Sequence, residues 1–381
     1  MKNKNFRQLI ALSCTGLLLL VTFLHSEPAN SPEDENVRNA IAAIEQERGL
    51  KFKIALTYKI LPPDQSNLQG LYDPAAKTLY VKKSSNPTRE YATVIHEAFH
   101  GLQDQYFDII KLQKNAKTTD QSYTIKSILE GDATYLAIVC LPESRMNKMM
   151  TMTPPWKQKS SEGQKLASSS LMSFDYAVGA NFIKQVKEEK GWAGVNKIYE
   201  RIPRSTEQIL HPHKYLENPD EPVKVTLPDF PALSDAGWQT EKVDTVGEFM
   251  TMLRLIQNGL SGPEAETAAT GWGGDTSLVL RKEKQTCEIW KTVWDTKDDS
   301  LEFFKTMAQI LKDAFPNING EETEKENTIS VTYQIQPDYF VFLSLNDKNK
   351  EVVLLKNLSK NNLLEAVKLL NLPSPHPDTL K

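Results

Sequence analysis

Apolar residues recur along this chain at two periods, and each period predicts a different kind of element. Val37, Ile41 and Ile44 share one face of a helix over Val37–Arg48. Lys53–Ile60 alternates as a strand does. Gly70–Lys82 predicts a hairpin, with Leu71-Tyr72 and Leu79-Tyr80-Val81 as strands and Asp73-Pro74 and Lys77 in the turn. Pro87 and Thr88 offer a helix start. Ala92, Ile95, Phe99, Leu102 and Tyr106 then follow the spacing of one buried helix face. Lys111–Thr119 reads as a polar loop with three lysines, and Ser122–Leu141 as a second long helix. Met146–Lys165 reads as a surface loop, followed by helices over Ser173–Lys190 and Trp192–Arg201. Pro203–Pro231 holds six prolines and little periodicity, which predicts a long structured connection. Helices are expected at Val246–Asn258 and Pro263–Thr270. From Thr276 the period changes. Strands are expected at Ser277–Arg281 and Thr286–Val293, a helix at Ser300–Phe315, strands at Thr328–Gln334, Tyr339–Leu345 and Glu351–Leu355, and a last helix at Leu363–Leu370.

The N-terminus departs from this globular pattern. Lys2, Lys4 and Arg7 precede an uncharged run from Gln8 to Leu24, the layout of an export signal. The run reads either as a segment cleaved near Ser26 or Ala29 or as a short membrane anchor over residues 8–24. Ala11-Leu12-Ser13-Cys14 faintly resembles a lipoprotein site, but apolar residues continue for ten positions beyond Cys14. The chain has 45 basic and 49 acidic residues; without Lys2, Lys4 and Arg7 the body carries 42 against 49. A mildly acidic body argues against nucleic acid as a partner, because phosphate binding needs a basic face. At 381 residues and 40% hydrophobic, the chain is long enough for one sizeable core with an appendage. Cys14, Cys140 and Cys287 have no metal-knuckle spacing; a bridge from Cys140 to Cys287 is open but not required.

The chemistry concentrates at His96-Glu97-Ala98-Phe99-His100, an H-E-x-x-H run inside the amphipathic helix. Residues four apart stack on one helix face, so two imidazoles meet a single zinc ion, with Glu97 beside them as general base. Catalytic zinc takes three protein ligands and keeps one position open. The third ligand expected is Glu130, an acid in an otherwise apolar helix 30 residues after His100. Gly131 would let the two helices approach closely. Asp132, Asp104 and Gln103 are candidates to orient the ligands from behind. His211, in a proline-bounded segment, and Tyr176 are candidates to stabilise the oxyanion. Gly271-Trp272-Gly273-Gly274-Asp275 lacks the lysine and strand-before, helix-after context of a phosphate loop. It reads as a helix stop and tight turn, with Asp275 bonding local backbone.

With Glu130-Gly131-Asp132-Ala133, the H-E-x-x-H run resembles the gluzincin clan of zinc peptidases. His96 to Gln105, Ser205 to Pro212 and Gly271 to Asp275 further resemble a family of exported bacterial proteins predicted to be metallopeptidases. The resemblance spans roughly residues 35 to 310. It implies an α+β, zincin-like catalytic domain: a small mixed sheet over the active-site helix, then a helical half, with the 70–82 hairpin lining up an extended substrate. It departs from many gluzincins at Thr134, where they carry an acid that holds a zinc histidine.

The expected organisation is an export or anchor segment at 1–26, a linker at 27–36, a zincin-like domain at 37–260 and a smaller C-terminal α/β portion at 261–381. The expected function is zinc-dependent hydrolysis of peptide bonds in peptide or protein substrates outside the cytoplasm, with one zinc per chain. The alternatives are a non-catalytic envelope binding or scaffold protein of zincin fold and a zinc hydrolase acting on a non-peptide amide.

Overall fold

A computed structural model describes residues 32–62, 69–141, 154–157, 163–217 and 219–375. The export segment at 1–26 and most of the 146–165 loop lie outside the described residues. Helix α1 (Pro32–Arg48) takes in the end of the expected linker and buries Val37, Ala40 and Ile44. Strands β1 (Thr57–Leu61), β2 (Gly70–Asp73) and β3 (Thr78–Lys82) form a mixed sheet in the order β1-β3-β2, with β1 parallel and β2 antiparallel to the central strand. The hairpin is where the sequence predicts it, with Tyr72 opposite Leu79. Strand β1 begins at Thr57 rather than Lys53. The Lys53 and Ile54 amides instead donate to the Gln105 side chain, at 2.8 and 3.1 Å.

Helix α2 (Pro87–Phe107) carries the H-E-x-x-H run. Pro87 sits in the first turn, where no amide is needed, and the Asn86 side chain accepts from the Arg89 amide. Asp108, left-handed at φ 54°, ends α2 and caps the next helix by accepting from Lys111. That helix, α3 (Ile109–Asn115), stands where a polar loop is expected. Only Ile109 and Leu112 are buried, too few for a period to register. Helix α4 (Thr119–Val139) carries Glu130 and starts at a Thr118 cap. Helix α5 (Gly163–Ser173) passes through a π-helical turn at Phe174–Val178 into α6 (Gly179–Ile198). Gly191, at φ 63°, bends α6 where the sequence suggests two separate helices. The proline-rich connection holds two short helices, α7 (Thr206–Leu210) and α8 (His213–Leu216), and ends at α9 (Pro231–Asp235).

The C-terminal part is a seven-stranded antiparallel sheet in the order β4-β5-β6-β10-β9-β8-β7. Strand β4 (Gln239–Asp244) precedes helices α10 (Gly247–Gln257) and α11 (Gly262–Ala269). After β5 (Trp272–Lys282) and β6 (Gln285–Trp294) comes α12 (Lys297–Ala314). Then follow β7 (Glu321–Lys325), β8 (Thr328–Gln336), β9 (Tyr339–Asn346), β10 (Glu351–Ser359) and α13 (Lys360–Leu369). Side chains alternate between the faces. Val341, Leu343 and Leu354 enter a core shared with α10, α11 and α12, while Phe340, Phe342 and Leu355 pack against α9 and α13. The first of these cores continues into the helical half through Ile128, Phe174 and Phe249. The molecule is therefore α+β. Cys140 and Cys287 are both free, so the bridge the sequence left open is not formed. Among the described residues, no helix is long and apolar enough to cross a membrane.

Candidate metal centre

Helices α2 and α4 pack with their polar stripes facing, and this brings three ligand-type atoms together. His100 Nε2 lies 3.2 Å from His96 Nε2, and Glu130 Oε2 lies 3.2 and 3.5 Å from the two rings. The rings meet edge to face, as a one-turn separation on a single helix directs. These side chains keep 12–20% of their surface exposed, so their tips line an opening rather than a sealed core. Burial opposes a charge on His100, yet hydrogen bonding and the charge of Glu130, aided by Glu97, raise it to about 9. Burial likewise opposes ionised Glu130, but both histidines outweigh it and hold the carboxyl far below its usual range.

Glu97 lies between the helix and the sheet edge. Its Oε2 accepts from the Tyr72 amide at 2.9 Å, which ties the side chain to β2. Gly70 on the same strand lies so close that a methyl there would meet the Glu97 Cγ at 2.9 Å.

Tyr176 reaches the cluster from the π-helical turn. Its ring stacks on His96 with centroids 5.8 Å apart. Burial first, then the charges of Glu130 and Glu97, raise its hydroxyl well above the usual range, so it remains a donor at neutral pH. His211 is engaged elsewhere: its Nε2 lies 2.8 Å from Glu248 on α10, and its ring edges His213. His211 lies outside the group formed by His96, His100 and Glu130.

The residues expected behind the ligands have different partners. Gln103 Oε1 lies 2.7 Å from His100 Nδ1, one turn along α2. Asp132 reaches the histidine only through others. It accepts from the Tyr199 hydroxyl at 2.7 Å, and Tyr199 in turn accepts from Gln103. Arg48, buried at the end of α1, pairs with Asp132 at 3.2 Å. Asp104 bonds to the hairpin. It accepts from the Tyr72 hydroxyl at 2.8 Å and Lys77 Nζ at 2.6 Å, fastening α2 to the hairpin turn. Tyr199 and Arg48 leave no local signal in the sequence, since they lie far from the motif and converge only through the fold. Gly131 does permit a close helix approach, but its neighbour is Gly179 on α6 rather than α2.

The other motifs build joints. Asp275 accepts from the Val246 and Gly247 amides, at 3.0 and 2.9 Å, and from the indoles of Trp272 and Trp290, both at 3.0 Å. These partners are not the local backbone that the sequence suggests; they pin the start of α10 to the large sheet. Thr206 bonds Asp120 through its amide and hydroxyl, at 2.9 and 2.6 Å. Glu207, Asp220 and Asp295 form a second acidic group, but the Lys214 ammonium lies among them at 2.6, 2.9 and 2.5 Å.

Residues 237–368, from β4 nearly to the end of α13, match the domain of unknown function DUF8575. His96, Glu97, His100 and Glu130 lie outside that match. No curated protein and no solved structure matches the chain.

Proposed function

We propose that this protein is a zinc-dependent metallopeptidase of the gluzincin type, with a zincin-like catalytic fold, acting outside the cytoplasm. One observation carries the reading: two imidazole nitrogens and a carboxylate oxygen stand 3.2, 3.2 and 3.5 Å apart. Ligands about 2.0–2.1 Å from a tetrahedral ion stand roughly 3.3 Å from one another, so the spacing fits zinc. Two histidines and a glutamate are also the donor set of a catalytic site that keeps a position open. A zinc ion held by His96, His100 and Glu130 would supply Lewis acidity, polarising a substrate carbonyl and acidifying water.

The chain's own residues supply the rest. Glu97, anchored through Oε2, takes a proton from the attacking water at Oε1 and delivers it to the leaving amine. The Tyr176 hydroxyl donates to the developing oxyanion. The outer edge of β2, with Leu71 exposed upon it, lies beside Glu97 and suits an extended peptide added as a further strand. Export rests on Lys2, Lys4 and Arg7 ahead of the uncharged run at 8–24.

The test is metal analysis of the purified protein, with a casein and peptide-library assay under a chelator control. Near-equimolar zinc and chelator-sensitive cleavage support the reading. Metal without turnover of any peptide favours an envelope scaffold, and turnover of a non-peptide amide alone moves the substrate class.

A further inference from the structure

Four buried side chains, on α1, α2, α4 and the residue that ends α6, line up behind the Nδ1 side of His100, and their donors and acceptors form one directed chain. Gln103, wholly buried, has both amide hydrogens committed: Nε2 donates to the Leu129 carbonyl at 3.1 Å and to the Tyr199 hydroxyl at 2.7 Å. Its Oε1 is thereby fixed as an acceptor and faces His100 Nδ1 at 2.7 Å. Tyr199 can accept from Gln103 because its own proton goes to Asp132 at 2.7 Å. Asp132 is held by Arg48, which also donates to Asn196 at 2.8 Å and lies over the Trp192 ring. Turning the Gln103 amide over would set its oxygen against the Leu129 carbonyl, acceptor facing acceptor.

We propose that Gln103 is a positioning residue that keeps a proton on His100 Nδ1 and so reserves Nε2 for the metal, its own orientation locked by Tyr199, Asp132 and Arg48. The inference deepens the zinc reading and rests on it for its consequence. It also accounts for Thr134, where many gluzincins place an acid. Here a neutral amide does the orienting, and the charge stands two links further back, on Asp132.

Two measurements test this. The first needs no metal: the ring 15N spectrum of the metal-free protein, followed as pH rises until the His100 ring signals stop changing. A protonated, pyrrole-type Nδ1 on His100 is expected, and a bare, pyridine-type Nδ1 overturns the proposal. The second is zinc affinity by chelator competition. Gln103→Met should weaken binding about 10- to 100-fold. Tyr199→Phe alone should weaken binding, yet add little in the Gln103→Met background, because it acts through Gln103. Full additivity, or unchanged affinity in folded Gln103→Met, overturns the proposal. If the native protein binds no zinc, the metal reading falls, and the nitrogen spectrum still decides the relay.

Discussion

In the proposed mechanism Glu97 is the base and Tyr176 the oxyanion donor. Glu97→Gln keeps the shape and the Tyr72 contact but removes the base. Hydrolysis should fall by about 10²- to 10⁴-fold with zinc content unchanged, measured as turnover and metal per chain. Retention of full activity would show that another group moves the proton. Tyr176→Phe removes one donor without disturbing the ring on His96. Turnover should fall about 10²- to 10³-fold at nearly constant KM. The proposed ligands are legible because spacing along one helix, and a lone acid in an apolar helix, are local facts. The choice between His211 and Tyr176 is not local. It depends on a π-helical turn that sets the Tyr176 ring against His96, and on Glu248, which pairs with His211.

Among the elements, the contact between α4 and α6 sets where Glu130 stands. A methyl at Gly131 would lie 2.6 Å from the Gly179 Cα, so the two helix backbones touch. Gly131→Ala must force them apart. It should cost about 1–3 kcal/mol in denaturant unfolding and weaken zinc binding, because Glu130 is the adjacent residue. A variant with native stability and affinity would mean the helices yield freely. Long elements with buried faces are legible from their period, as α2, α4, β6 and β8 to β10 illustrate. Short or polar elements are not. Helix α3 buries only two apolar residues, and β4 and β7 are polar strands at the two edges of the large sheet, where one side lacks a partner and no alternation is imposed.

For the whole molecule, the decisive feature is that the helical half and the large sheet share a core, pinned at Asp275. Asp275→Ala leaves two buried amides and two indoles without their acceptor. The expected cost is more than about 3 kcal/mol in urea unfolding, with both parts losing structure together. Near that joint, burial raises Asp120 to about 7. Its bonds from Thr206 oppose the shift, and the Asp275 and Glu248 charges add to it. The native state keeps this proton above pH 3.8, where the unfolded chain loses it. The group's stabilisation is therefore full at low pH and is lost as pH rises towards about 7. Asp120→Asn keeps an acceptor for Thr206 and removes the titration. Its unfolding midpoint should fall less than the native protein's between about pH 4 and 7.

The central claim, convergence of His96, His100 and Glu130 on one cation, is tested most directly by anomalous diffraction at the zinc edge on crystals of the purified protein. The account predicts one strong peak within about 2.0–2.2 Å of both Nε2 atoms and a Glu130 oxygen. A peak only at another site, or Glu130 turned away from both rings, would contradict it.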